Sequence, residues 1–341
     1  MNPIKSTLFA SILFIGASKC FAQKTDSIPG MKRDSIARRT VAFAADKFAV
    51  ARPLNIEFTH AAPYNYSSKL EGTPLPNGRI NTFTQARIGA NVNFIKRKTW
   101  MLGVTAGYRY TKAQADNMPA SGGLTFRTDE NFSYLFSSLN FTYFSSLFKK
   151  RMIYSSSFLV DGSEKHFERI KGIFTGTMVL KANQRTKMTA GVLVNIDQSA
   201  QSPIIPTFSY EHKFNNGLIA DIVLPRSIYL RKYMFGSGRA SIGTELDRTS
   251  FYVYDIDGTA QRYEYRQLDI NSGLTYEHAI GKYFVLSAKT GMKYSPSGRL
   301  FKKEESFASP VLEISPDPTF FFNVGISFNP FTVLTKKGRS N

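Results

Sequence analysis

A chain of 341 residues with 29 Phe, 17 Tyr and one Cys is long enough for a large domain and too poor in cysteine for a disulfide framework or a thiolate metal site. Its mean hydropathy of -0.22 excludes a bundle of apolar membrane helices. The net charge of +19 would suit a nucleic-acid partner, but the basic residues are scattered through short turns instead of forming one patch or helix, so nucleic acid is set aside.

The N-terminus reads as an export signal. Lys5 supplies a short positive region, an apolar run follows from Leu8 to Ala17, and Cys20-Phe21-Ala22 forms a small-x-small site with cleavage expected after Ala22. The apolar run is too short to span a bilayer. Lys19 stands where a lipoprotein signal wants a small residue, so Cys20 is read as part of the leader and not as a lipid anchor. Removing residues 1–22 takes the net charge from +19 to +17 and leaves no cysteine. Residues 23–52 then place Lys24, Lys32, Arg33, Arg38 and Arg39 among Ser, Pro and Gly, the composition of a periplasmic lead-in with a short helix between Ser35 and Val50.

From Leu54 onward the period becomes two. Trp100, Leu102, Val104, Ala106 and Tyr108 share one face, opposite Gly103, Thr105, Gly107 and Arg109. Phe320, Phe322, Val324, Ile326 and Phe328 likewise oppose Asn323, Gly325, Ser327 and Asn329. Strands that are half apolar and half polar over about ten residues match a lipid-facing barrel wall. Fourteen are expected, at about 54–61, 84–95, 99–112, 131–146, 150–161, 168–182, 186–198, 203–214, 217–224, 227–234, 238–255, 261–279, 282–294 and 318–329. Those at 217–224 and 227–234 are short enough to form one interrupted element, which leaves twelve open.

The connections sort by parity. One set is short, at about 96–98, 147–149, 183–185, 215–216, 235–237 and 280–281; the other holds the long ones, at about 62–83, 113–130 and 295–317. Outer-membrane barrels put short turns in the periplasm and long loops outside. The expected fold is therefore all-β: one antiparallel up-and-down transmembrane β-barrel of about 12–14 strands, since only helices and closed barrels satisfy every backbone group in lipid. Basic residues collect in the short turns (Lys96, Arg97, Lys98; Lys149, Lys150, Arg151; Arg185, Lys187) and in the tail (Lys336, Lys337, Arg339). There they either meet anionic lipid heads, each contact being worth on the order of 1 kcal/mol, or keep turns and strand edges wet.

With the apolar face toward lipid, the lumen receives Arg87, Arg109, Lys171, Asp197, Glu211, Glu245, Asp247, Asp269, Glu277, Lys289 and Lys293, together with Glu57, Asn91, Asn195, Asp221 and Arg239. Both signs are present. They either fill a narrow barrel with ion pairs or line a polar pore or binding cavity. Width decides: eight strands leave a filled interior and roughly 16 to 18 leave a water channel, so a barrel between these leaves a gap for loops or the lead-in to plug.

No catalytic, metal or cofactor residue is assigned. His60, His166, His212 and His278 have no serine at a telling spacing, and Glu277 points to the opposite face of its strand from His278. Gly236-Ser237-Gly238 lacks a following helix and reads as a turn, not a phosphate cradle. Asp255-Ile256-Asp257-Gly258 begins like a calcium loop but lacks the closing Glu, and a hairpin turn explains it. Around it, the apolar parity changes between Leu246 and Phe251 and again near Arg266, as expected of strands that rise above the lipid with bulges.

Three stretches carry a resemblance: Leu224-Pro225-Arg226-Ser227 with Leu230-Arg231; Tyr263-Glu264-Tyr265-Arg266 running on to Gly273-Leu274-Thr275-Tyr276-Glu277; and the small-residue run from Phe284 to Gly291. Over about Phe208 to Phe331 the chain resembles a family of uncharacterised outer-membrane β-barrels of Gram-negative bacteria. The resemblance implies location and fold and brings no functional residue. The expected organisation is a signal peptide (1–22), a periplasmic lead-in (23–52), an outer-membrane barrel (53–331) and a basic tail (332–341). The leading expectation is porin-like passage or binding of small solutes among outer-membrane lipids, without catalysis or cofactor. The alternative is a structural or surface-interaction barrel acting through its long loops, and a lipid-acting outer-membrane enzyme comes third.

Overall fold

The computed structural model describes residues 36–117, 125–197, 199–256, 258, 260–331 and 334. The expected export signal, most of the basic tail, Asp257 and the centre of the 113–130 connection lie outside the described residues. Among the described residues one helix, α1 (Ile36–Lys47), and a 3-10 turn (Ala49–Ala51) precede sixteen strands. These are β1 (Leu54–Ala61), β2 (Tyr64–Leu70), β3 (Thr73–Lys96), β4 (Trp100–Asn117), β5 (Phe126–Leu147), β6 (Lys150–Gly162), β7 (Phe167–Ala182) and β8 (Thr186–Ile196). Then come β9 (Ile204–Lys213), β10 (Leu218–Leu224), β11 (Ser227–Met234), β12 (Gly238–Tyr254), β13 (Arg262–Ile280), β14 (Phe284–Lys302), β15 (Leu312–Pro316) and β16 (Thr319–Phe328). Among the described residues no helix is long and apolar enough to cross a membrane.

The strands close into an antiparallel ring. β3 to β14 pair in sequence, β14 pairs with β16, β16 with β1, and β1 with β3, which makes fourteen members. The two remaining strands continue the ring upward: β2 extends β1 beside β3, and β15 extends β16 beside β14. The breaks fall at Pro63 and Pro318, which have no N–H to give a ladder. The seam stays knit across them, because Ala62 N donates to Phe320 O at 2.8 Å and Asp317 N to Asn65 O at 2.9 Å. The expected loops at 62–83 and 295–317 are thus largely strand, with turns left only at 71–72 and 303–311. The short pair survives as two strands, β10 and β11, joined through Pro225 and Arg226.

Wall height is uneven. β3, β5, β13 and β14 have 24, 22, 19 and 19 residues, whereas β10 and β11 have 7 and 8. Above Leu135, β5 has lost its neighbour β6, and above Glu245, β12 has lost β11. These two free edges turn toward each other. Phe132 stacks on Phe251 at 3.9 Å between ring centroids, and Tyr134 on Tyr252 at 6.3 Å. A fourteen-stranded base therefore narrows into an eight-stranded turret made of β12, β13, β14, β15, β2, β3, β4 and β5.

In most strands the alternation carries on from base to turret while its chemistry reverses. In the base the outward residues are apolar and exposed: Ile56, Phe58, Ile88, Val92, Leu139, Phe141, Leu274, Leu286, Val324 and Ile326. In the turret the apolar residues point inward, with Phe251, Tyr263, Tyr265 and Leu300 forming a buried cluster and Ala61, Phe83 and Phe321 a second one below it. The expected change of parity is in most strands a change of partner, with lipid outside the base and water outside the turret. Register shifts occur as well: in the turret between Leu268 and Ile270 against β14, Ile80 and Thr82 against β4, and Tyr66 and Ser68 against β3, and elsewhere in the wall between Asn93 and Ile95, Asp161 and Gly162, and Val179 and Lys181.

Candidate functional site in the lumen

The floor of the lumen is built by the segment before β1. Ala37, Val41 and Ala45 give α1 a buried stripe, and Lys47 complements the negative end of the helix. Lys47 Nζ pairs with Asp221 on β10 and, at 3.2 Å, with Glu211 on β9. Arg52 pairs with Glu277 on β13 at 2.5 Å and donates to Ser327 Oγ on β16 at 3.2 Å. Arg239 joins Asp46 at 3.1 Å to the same Glu277 at 2.7 Å. Because β9–β10 and β13–β16 belong to different parts of the wall, these contacts stretch the segment across the ring. Removing one partner of such a buried pair strands the other charge and costs about 3–5 kcal/mol.

Above the floor lies a cavity of about 120 Å³, bounded by Lys47 to Val50 below and by wall side chains around it. That is room for about four waters at roughly 30 Å³ each. Three ion pairs border it: Arg87–Asp247 at 2.5 Å, Lys289–Glu245 at 2.7 Å and Lys293–Asp269 at 2.9 Å. Arg87 is on β3 and Asp247 on β12, strands that are not ring neighbours, so this pair forms through the lumen. Other polar groups around the cavity stay uncompensated. Arg87 Nε, Asn271 Oδ1 and Asn323 Oδ1 are buried with no hydrogen-bond partner among the described residues. Glu57 is 8% exposed and has no ion-pair partner among the described residues; it accepts from Asn55 at 3.0 Å. Asn55 in turn accepts from Ser327 at 2.6 Å, which links Glu57 to Arg52 in the floor.

The roof has two parts. Under the turret core, Gln85 donates to Thr111 and Thr249, both at 3.2 Å. Beside it, the lower wall of β6–β8 leans on the outer face of the turret. Asp161 accepts from Tyr134 at 2.6 Å, Tyr252 at 2.8 Å and Lys171 at 2.6 Å. Arg169 pairs with Glu264 at 2.7 Å, and Arg266 joins Glu264 at 2.5 Å to Asp197 at 3.3 Å. Arg266 also donates to the Ser199 carbonyl at 2.6 Å, which draws the β8–β9 loop onto the turret.

Of the residues assigned from sequence, Arg87, Glu245, Asp247, Asp269, Lys289 and Lys293 meet around the cavity and Glu211 and Glu277 hold the floor. Lys171 and Asp197 belong to the seal against the turret, and Arg109 donates to the Arg248 carbonyl. Sequence reasoning passed over Lys47, Arg52, Asp161, Arg169, Glu264 and Arg266. Glu264 and Arg266 stand on the parity that faces lipid lower down β13, so alternation pointed away from them.

The structure also joins a serine to a histidine that spacing had kept apart. Ser237 Oγ lies 3.2 Å from His278 Nε2, and Tyr276 OH lies 3.1 Å from His278 Nδ1. A nucleophile and a base are in reach. The carboxylate beside them, Glu277, is committed to Arg52 and Arg239 on the lumen side, and among the described residues no acid is bonded to the imidazole.

No family model matches the sequence, and no curated protein matches it. Among solved structures the chain is similar to an outer membrane channel from Pseudomonas putida F1, at 12% identity and a TM-score of 0.30 over 81% of this chain and 94% of that one. It is similar to a Pseudomonas aeruginosa FadL homologue at 8% identity and 0.32, over 84% and 94%. It is similar to the outer membrane protease OmpT from Escherichia coli at 8% and 0.26, over 81% and 96%. The chain's own wall defines its class: a ring without a free edge at its base, apolar outside and charged inside, is a transmembrane β-barrel.

Proposed function

We propose that this protein binds small polar solutes in the lumen of an outer-membrane barrel and lets them pass, and that its closed state is the one described here. The floor carries this reading. A permanently filled barrel has no need of a separate helix held by side-chain ion pairs, whereas Lys47, Asp46 and Arg52 fasten α1 to the wall by contacts that can be made and broken without touching the ladder. The roof above β6–β9 is likewise polar and reversible, unlike the packed core of the turret. On this reading an N-terminal signal delivers the chain to the outer membrane, and residues 23–52 serve as the gate.

Planar-bilayer conductance of the mature protein, beside a form lacking residues 23–52, tests the proposal. The intact protein is expected to be silent or to flicker, and the truncated one to conduct in steps. Silence from both, with each shown to be folded by its heat-modifiable migration, would sink the passage reading.

The turret favours a second reading. Its outer face carries Lys112–Asp129 at 3.3 Å, Arg127–Asp116 at 2.9 Å and Arg299–Glu313 at 3.0 Å, a polar surface held clear of the lipid. A barrel that acts by surface interaction would lose its phenotype when this face is replaced and would keep it when residues 23–52 are removed.

A further inference from the structure

We infer that the cavity is a binding site for a small primary ammonium compound of about amino-acid size, with Glu57 as its anionic anchor. This deepens the solute-binding reading above and rests on it.

The argument begins with charge. Of the basic side chains that border the cavity, Lys47, Arg87, Arg231, Lys289 and Lys293 each have a carboxylate partner, and the exposed Arg226 lies over the Phe48 ring. Glu57 has no such cation among the described residues, although its register partner on β3 is Arg87. Arg87 reaches past it to Asp247 and leaves its own Nε unpaired. Glu57 thus has the longer-range attraction of Arg87 and Lys289 but no direct ion pair, and a buried carboxylate without a cation in contact is costly unless something supplies one.

The second observation is independent of Glu57. Asn323, 5% exposed, gives its amide hydrogens to Thr59 at 2.7 Å and leaves Oδ1 unpartnered on the cavity wall. Asn271 leaves its Oδ1 in the same way on the neighbouring sector. Three acceptors, one of them charged, thus border one space, and an ammonium has three donors and a full positive charge to meet them. Arg87 Nε is the complementary donor, and it suits a hydroxyl or carboxylate elsewhere on the same molecule. An anionic solute would face Glu57 and gain only the single N–H groups of Arg87 and Arg231 in return. A neutral polyol would leave the carboxylate without a cation in contact.

The backbone agrees with a site set close to the wall. Gly325 stands opposite Glu57 in the ladder, and a Cβ there would press on Glu57 Cγ at 3.0 Å and Ser287 Oγ at 2.9 Å. Glycine lets the carboxylate lie against the sheet, so the centre of the cavity stays open.

Equilibrium dialysis of the refolded mature chain against labelled ethanolamine, glycerol and acetate decides the point. Ethanolamine is expected to bind, with glycerol and acetate weaker by at least about tenfold. Glu57→Gln, which keeps the volume and the bond from Asn55, should weaken ethanolamine by about tenfold or more and leave glycerol unchanged. Asn323→Leu should weaken it by a smaller factor, and it serves if the first variant fails to fold. The inference is overturned if wild-type protein binds ethanolamine no better than glycerol, if acetate is preferred, or if neither variant changes the ethanolamine isotherm. Conductance separates this from the passage reading. Glu57-dependent binding in a barrel that never conducts overturns passage alone. Conduction without such binding overturns the ammonium site alone.

Discussion

Arg52 shows how a single side chain can hold a tier of this molecule. Its guanidinium spans Glu277, Ser327 and the Ala45 carbonyl at 2.5, 3.2 and 3.1 Å, so it ties the end of α1 to two strands at once. Arg52→Ala should cost about 3–5 kcal/mol of local stability, read as faster tryptic cleavage at Arg38 and Arg39 with the barrel itself intact. Unchanged cleavage would mean that α1 is held by packing alone. The opposite end offers a pH-dependent pair. The hydrogen bond from Arg127 holds the Asp116 carboxyl below its ordinary value of 3.8. Since the folded value is the lower one, the stabilisation is complete above about 3.8 and disappears as pH falls through the folded value. Hydrogen exchange at the tips of β4 and β5 should accelerate over that acidic window, while exchange in β8–β11 should not follow it. At this scale the sequence was half legible. Alternation marks Arg87, Asp247 and Lys289 as polar positions inside a wall, but the pairing of residue 87 with 247 depends on ring closure, which no local pattern encodes.

Strands were far easier to read, because each carries its own period. All fourteen expected strands are present, while two of the long connections expected between them, 62–83 and 295–317, are largely strand. β2 and β15 were hidden behind Pro63 and Pro318, residues that by local rules end a strand and here only interrupt one. The turret was hidden for a different reason. A fixed pleat with changing surroundings looks in sequence like a shift of phase, and the aromatic run of β12 was read that way. The turret core makes its own prediction. Phe251→Ala removes the ring that stacks on Phe132 at 3.9 Å and Tyr265 at 4.7 Å, which should cost about 3–5 kcal/mol. Hydrogen exchange should then rise along the facing edges of β5 and β12 and stay protected in the base. Gly273 is the contrasting case in the base: a Cβ there would strike the Thr290 carbonyl oxygen and Gly291 Cα, so Gly273→Ala should lower the yield of heat-modifiable barrel.

The whole molecule is a stack of three tiers in one wall: a salt-bridged floor, a cavity with unspent hydrogen-bonding capacity, and a roof that is apolar under the turret and ionic beside it. Neither single expectation about the lumen described this. Ion pairs fill part of it, as in a narrow barrel, and a cavity persists beneath, as in a wider one. The expected range of strand number resolves to fourteen, because the short hairpin of β10 and β11 is a full member of the ring.

That hairpin has a consequence for the membrane itself. Seven residues at about 3.3 Å each, tilted by about 40°, climb roughly 18 Å, against a lipid-facing band of about 25 Å in barrels of this type. The hydrocarbon beside β10 and β11 must dip to meet them, at a cost of a fraction of a kcal/mol for each ångström of mismatch. The bilayer around this barrel is therefore lopsided, deep along the tall strands and shallow over one sector. A round outline seen from above would conceal a direction: lipids with shorter tails should gather on the β10–β11 side, and the protein should sit slightly tipped toward it.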